Sequence, residues 1–246
     1  MIPPPEAEFG AIEAVEIKWR AARGAMQPLL CRGNDGKHYI LKPFSPGGSW
    51  PLALEWICAR LGRALGLPIP NYRQVVVSEE IASEWNNLNN RQINAGTGFG
   101  SQFVPAAMEF ESSLGGNLPG ESRLRVLAFD WWIRNRDRTE KNPNLLWCAG
   151  NRSLHVIDHD QAGQREDASL FWNLHLFREL AAGEPEWPPP SLAGEFGAAL
   201  SRLLPSPVLG ELPLEWTDGS GGIDWFVHQL KHSLSNTSHR DWRNHE

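Results

Sequence analysis

Long apolar runs are missing from this 246-residue chain, so a membrane-spanning helix is not expected. The opening Met1-Ile2-Pro3-Pro4-Pro5-Glu6 has neither a basic start nor a following apolar core, and no signal peptide is expected from it. Cysteine is scarce: Cys31, Cys58 and Cys148 are far apart, odd in number and without the paired spacing of zinc sites. Buried free thiols in a reducing cytoplasm are the expectation. An excess of positive charge is lacking too, since 23 Lys and Arg face 29 Asp and Glu for a net charge of −6. Direct nucleic-acid binding through a broad basic surface is therefore not expected, because such binding works by neutralising phosphates. A nucleophile elbow, a dinucleotide fingerprint after a strand and internal repeats are absent as well.

What is present is the composition of a globular protein, 41% hydrophobic and 21% charged, long enough for one large domain or two lobes. Residues 11–22 alternate apolar and charged in their middle and read as a strand. Leu29-Leu30-Cys31 and His38-Tyr39-Ile40-Leu41-Lys42 flank Asn34-Asp35-Gly36-Lys37 and read as a hairpin, with Ile40 and Lys42 on one face. Pro51 to Leu65 reads as a helix, with Pro51 in its first turn, Gly66 beyond its end, and Ala59 and Gly62 leaving the Glu55 face small enough to press on a sheet. Residues 72–78 and Gly98 to Pro105 read as strands, and the asparagine-rich stretch Glu84 to Thr97 as a long surface loop or short helix. Glu121 to Ile133 carries Leu124, Leu127, Ala128, Trp131 and Trp132 at helical spacing. Helices are expected over Ser169 to Ala182, Leu192 to Leu204 and Gly222 to Ser235, with Glu184 to Pro190 as an extended connector and fraying after Ser235.

The most informative segment is Arg134-Asn135-Arg136-Asp137-Arg138-Thr139-Glu140-Lys141-Asn142, followed by Val156-Ile157-Asp158-His159-Asp160. Phosphoryl transfer needs a carboxylate near the acceptor hydroxyl and oxygen ligands for magnesium. An Asp, an Asn five residues on and a later Asp supply them, here Asp137, Asn142 and Asp158. Leu145 to Cys148 and Leu154 to Ile157, separated by Ala149-Gly150-Asn151-Arg152, read as a hairpin whose entry and exit bring Asn142 and Asp158 together. An amide oxygen and a carboxylate suit magnesium. Lys42, closing an apolar strand, is a candidate for the ATP phosphates, and Glu55 for holding it; backbone groups of Gln102, Phe103 and Val104 would meet the adenine. Arg136 and Arg138 could each hold a phosphate or pair with a carboxylate. Asp160 is read as a turn residue rather than a second acidic ligand. His228 and His232, four apart on a helix, are read as a solvated face rather than a zinc site.

These residues resemble the HipA-like kinases, atypical members of the protein-kinase-like superfamily that includes the phosphatidylinositol 4-kinases. Tyr39 to Lys42, Leu54 to Trp56 through Pro70, Phe99-Gly100-Ser101, Asn135 to Asn142 and Val156 to His159 carry the resemblance, over roughly residues 12 to 165. It implies that Lys42 binds the ATP phosphates with Glu55 orienting it, that Asp137 is the catalytic aspartate, and that Asn142 and Asp158 hold Mg2+. It also implies that Arg23 to Gln27, including Gly24 and Gln27, covers the phosphates, although with one glycine where typical protein kinases have three. Full-length HipA toxins carry additional N-terminal material and act beside a DNA-binding antitoxin, so the resemblance implies the chemistry and not the toxin role.

The resulting expectation is an α+β, bilobal protein-kinase-like fold, a sheet-rich lobe over 1–105 and a mainly helical lobe over 106–246, with ATP between them. The reaction would be ATP- and Mg2+-dependent transfer to a hydroxyl, on a Ser or Thr of a protein, in the cytoplasm. Alternatives are a pseudokinase whose tryptophan-rich surface recruits a regulatory protein partner, and a kinase with a lipid or small-molecule phosphoacceptor.

Overall fold

The computed structural model describes residues 10–20, 28–90, 92–111, 118–165, 168–183, 186–204, 208–217 and 222–235. Gly24, Gln27 and the tail after Ser235 lie outside them. The described chain is mixed α+β and divides into two compact units. One takes in Met1–Trp56, Pro70–Pro105 and Leu212–Asp218; the other takes in Ile57–Ile69, Ala106–Glu211 and Gly219–Glu246.

In the first unit, alternation over β1 (Ile12–Arg20) lets it pair antiparallel with β2 (Leu29–Gly33). The Asn-Asp-Gly turn then returns the chain as β3 (His38–Lys42). Asp35 fixes that turn, accepting the Lys37 N–H at 3.1 Å and the Tyr39 hydroxyl at 2.7 Å. With β4 (Tyr72–Val77) and β5 (Gly96–Gln102) these strands close a barrel in the order β1-β2-β3-β5-β4. A short parallel pairing of Ile12 with Val75 and Glu13 with Val76 completes it. Leu29, Cys31, Tyr39, Leu41, Val75 and Val77 fill its interior, each large aliphatic contributing about 1.5–3 kcal/mol. Burial pushes the Cys31 thiol up to about 12, which makes it an inert core residue. The glycines of β5 make this small core possible: a Cβ on Gly100 would sit 2.4 Å from Val75 Cγ2, and one on Gly98 would sit 2.5 Å from the Lys42 carbonyl oxygen.

The asparagine-rich stretch, read as a long surface loop or short helix, begins as helix. Its first half belongs to α2 (Glu79–Leu88), capped by the Ser78 hydroxyl on the Ile81 N–H, which buries Ala82 and Trp85 with the barrel core. Asn86 then exchanges two hydrogen bonds with the Ile93 backbone, at 2.8 and 2.9 Å, and closes the return to β5. The short α6 (Leu214–Thr217) also belongs to this unit. Its Trp216 donates to the Thr97 carbonyl at 2.6 Å and packs edge-on against Trp56, a placement no local sequence signal announced.

Helix α1 (Trp50–Ala64) contains the division between the units, after Trp56. Gly66, at φ 75°, ends it in the left-handed region. Gly62 does not press on a sheet as expected: a Cβ there would meet Ile69 at 2.3 Å and Phe129 at 3.4 Å.

In the second unit, α3 (Gly120–Trp132) is buried without a break from Val126 to Trp132 and so acts as a central helix rather than an amphipathic one. Trp132 stacks on Phe196 of α5 (Pro190–Leu203) at 4.7 Å and donates to the Leu230 carbonyl of α7 (Gly222–Ser235) at 3.0 Å. The expected hairpin is β7 (Leu145–Cys148) and β8 (Ser153–Val156), joined by a two-residue β6 (Met108–Glu109). The helix expected over Ser169 to Ala182 is broken: α4 (Ser169–Leu174) ends before His175, and a 3-10 segment resumes at Arg178. Tertiary bonds override helical propensity there, because the His175 ring is drawn to Asp130 and the Leu176 N–H to the Arg138 carbonyl.

Candidate active site

In the first unit Lys42 and Glu55 form a buried ion pair, their side chains 10% and 3% exposed. The barrel places Lys42 at the end of β3, and the first half of α1 brings Glu55 to it. Ser49 starts that helix, its hydroxyl donating to the Ser45 carbonyl at 2.9 Å and its carbonyl accepting the Leu52 N–H. Breaking a buried ion pair by removing one partner costs about 3–5 kcal/mol. At the end of β5, the N–H groups of Gln102 and Phe103 are taken by the carbonyls of Asn71 and His38, at 2.6 and 2.8 Å.

In the second unit α3 delivers the chain into a loop organised around Asp130, a fully buried carboxylate inside the apolar run Ala128-Phe129-Asp130-Trp131-Trp132. Both its oxygens are saturated. Oδ1 accepts from Asn135 Nδ2 at 3.0 Å and Arg138 Nη2 at 3.2 Å; Oδ2 accepts from Arg138 Nε and from His175 Nε2 at 3.1 Å. Burial alone would raise the Asp130 carboxyl, but the Arg138 charge and the His175 hydrogen bond outweigh it and hold it well below the usual carboxylate range. Burial likewise pushes the His175 imidazole below its ordinary value, against the pull of Asp130. Its tautomer follows from its neighbours: Nδ1 accepts the Phe177 N–H at 3.1 Å, so Nε2 carries the proton given to Asp130. Of the two arginines, Arg138 pairs with a carboxylate, whereas Arg136 is half-buried.

Asn135 carries this order forward, its Oδ1 accepting the Asp137 N–H at 3.2 Å. Asp137 Oδ2 receives two amides, Asn142 Nδ2 at 2.7 Å and Asn144 Nδ2 at 3.1 Å. A closed turn between Thr139 and Asn142 sets that reach, with Thr139 N–H on the Asn142 carbonyl at 2.9 Å and Asn142 N–H on Thr139 Oγ1 at 3.2 Å. With Nδ2 directed to Asp137, Oδ1 is the acceptor atom of the Asn142 side chain. The hairpin sets Leu145 opposite Val156, and the Ile157 N–H extends the pairing to the Asn144 carbonyl at 3.1 Å. Asp158 follows at φ 64°, and its carboxylate lies within 4.8 Å of that of Asp160. Asp160 sits in a turn closed by the Ala162 N–H on the His159 carbonyl, so the turn reading and proximity to Asp158 hold together. The donors available on this loop and after the hairpin are amide and carboxylate oxygens, a set that suits a hard divalent cation.

A family model described as HipA-like kinase matches residues 14–245. The chain belongs to the HipA-like kinase family. No curated protein matches its sequence. Its fold is similar to the crystal structure of the Golgi casein kinase, at TM-score 0.43 and 12% identity, over 96% of this chain and 76% of that one. The structure of the Golgi casein kinase with Mn/ADP bound is similar at the same score and identity, over 96% and 78%.

For this HipA-like kinase, the structure joins Lys42 to Glu55 and Asp137 to Asn142, and places Asp158 directly after the residue paired with Asn144. Sequence reasoning missed Asp130, Asn144 and His175. Asp130 had a signal, since a carboxylate inside an apolar helical run is buried and must be paired. Asn144 and His175 carried none. His159 is buried with its ring edge-on to Phe129 at 5.9 Å, and His228 is exposed, 6.3 Å from the ring of His232.

Proposed function

We propose that this HipA-like kinase is an ATP- and Mg2+-dependent phosphotransferase acting on a hydroxyl, a Ser or Thr of a protein being the expected acceptor. The observation that carries the reading is Asp137 Oδ2 bound by the Asn142 and Asn144 amides. With Oδ2 engaged by these amides, Oδ1 would be the oxygen for an incoming hydroxyl, and Asn142 Oδ1 would face the cation. Asp137 would orient the hydroxyl and take its proton late, as the acceptor oxygen bonds the γ-phosphorus and the bond to the ADP oxygen breaks. Lys42, held by Glu55, would donate hydrogen bonds to the phosphates. Asn142 and Asp158 would hold Mg2+, which when bound neutralises phosphate charge. Because the Gln102 and Phe103 N–H groups are engaged, the donor to adenine would come from Val104 and the acceptors from carbonyls of Gln102 to Val104.

The pseudokinase alternative called on a tryptophan-rich surface. Among the described residues Trp56, Trp85, Trp131, Trp132, Trp147, Trp187 and Trp216 are buried, Trp50, Trp172 and Trp225 are half-buried and Trp19 is exposed, which gives that alternative little support. Among them, too, no helix is long and apolar enough to cross a membrane, and the three cysteines are free and buried. We expect a cytoplasmic protein on the thiols.

A binding and turnover comparison tests the function. Asp137→Ala is expected to bind ATP as the wild type does and to transfer no phosphate, whereas Lys42→Met loses ATP affinity. Equal transfer by wild type and Asp137→Ala would refute the role of Asp137.

A further inference from the structure

Arg138 touches none of the atoms assigned to chemistry, yet the site is built around it. Its side chain is 0% exposed. Nε and Nη2 grip both oxygens of Asp130 in a fork, and Nη1 reaches the carbonyls of Pro143 at 3.3 Å, Asn144, and Ile157 at 3.3 Å. The positions of those groups in the chain give the arrangement its meaning. Pro143 follows Asn142, Ile157 precedes Asp158, and Arg138 itself follows Asp137. One guanidinium is thus one residue away from each of the candidate base and the two candidate cation ligands.

The backbone around it is held in costly conformations. Arg134, Asn144 and Asp158 have φ of 56°, 48° and 64°. Non-glycine residues persist in the left-handed region only where their surroundings over-determine them, at of order 1–3 kcal/mol each. The Nη1 contacts on the carbonyls of Asn144 and Ile157 fix the peptide units at two of these places. Asp130, anchored in a central helix and saturated by Asn135 and His175, gives the fork a rigid base.

We propose that Arg138 is a positioning residue that sets the spacing of Asn142 and Asp158, and thereby the affinity for the divalent cation with its nucleotide. The inference rests on the reading that those two residues hold the cation. It distinguishes Arg138 from a simple core ion pair, since a lysine keeps the charge facing Asp130 but cannot fork onto both its oxygens and reach three carbonyls.

The test uses the full chain and Mn2+ with ADP, titrated by electron paramagnetic resonance. Wild type is compared with Arg138→Lys and with the double variant Asp130→Asn/Arg138→Gln, which removes both buried charges together and so avoids a lone one. Near-UV circular dichroism of the buried tryptophans establishes that each variant is folded. The expected result is Mn2+ affinity lower by about 10–100-fold in folded Arg138→Lys and in the double variant, with ATP turnover partly regained at raised Mg2+. Should Arg138→Lys fail to fold, the double variant alone decides. Folded variants that bind Mn2+ with ADP as tightly as wild type overturn the proposal. A wild type that binds Mn2+ with ADP but transfers no phosphate removes the phosphotransferase reading and leaves the Mn2+ comparison standing. A wild type that binds none overturns both.

Discussion

The buried pair of Asp130 and Arg138 yields a prediction about stability that is independent of activity. Both side chains are 0% exposed, and between them they make the fork, the carbonyl contacts and the bond to His175. Asp130→Asn keeps the shape but replaces an acceptor facing Arg138 Nε with an amide, leaving the guanidinium without its counter-charge. Arg138→Gln leaves the carboxylate with Asn135 and His175 alone. Each should cost about 3–5 kcal/mol, the range for stranding one member of a buried pair. That is a large fraction of the about 5–15 kcal/mol a folded domain has to lose. With both changes no charge is stranded, so the double variant should fall short of the sum by a few kcal/mol, about the cost of one stranded ion. Urea unfolding followed by tryptophan fluorescence reads this directly, because Trp131 and Trp132 are buried beside Asp130 on α3. Single variants within about 0.5 kcal/mol of wild type, or a double variant equal to the sum, would refute the coupling.

Further outcomes follow from the same geometry. Gly100→Ala places a Cβ 2.4 Å from Val75 Cγ2 and should destabilise the barrel by about 1–3 kcal/mol in urea unfolding, with Val75→Ala restoring part of the loss. Glu55→Gln breaks the buried ion pair with Lys42 and should lower both stability and ATP affinity; an unchanged denaturation midpoint would count against the contribution of the pair. For pH, an unfolded histidine takes up a proton near about 6.5, whereas burial holds His175 neutral to lower values. Below that pH the unfolded state binds more protons, so stability is full above it and declines as pH falls. His175→Gln, which keeps an amide donor for Asp130, should flatten this decline in pH-dependent unfolding, while His155, also held down by burial, leaves a residual slope in both proteins.

Features set by neighbouring residues were readable in advance. The Asn-Asp-Gly turn, the hairpin around Ala149 to Arg152, and the helix ended by Gly66 follow from local chemistry and appear where that chemistry puts them. The five-residue step from Asp137 to Asn142 was legible because a closed turn between Thr139 and Asn142 spans it. What stayed hidden depends on partners distant in sequence. The parallel contact of β1 with β4 joins residues some sixty positions apart, as with Ile12 and Val75. The break at His175 comes from a carboxylate 45 residues earlier. Trp216 returns to Thr97 across 119 residues. Asp130 alone among the hidden elements had a local trace, its charge inside an apolar helix.

The measurement that bears most directly on the central claim is transfer of labelled γ-phosphate from ATP, with and without Mg2+, to the protein itself and to proteins of a cell lysate. Wild type should give Mg2+-dependent label, and Asp137→Ala should reduce its rate by about 100–10,000-fold, the contribution typical of a positioned general base. Label that persists undiminished with Asp137→Ala, or a wild type that binds ATP and never transfers phosphate, would contradict the account.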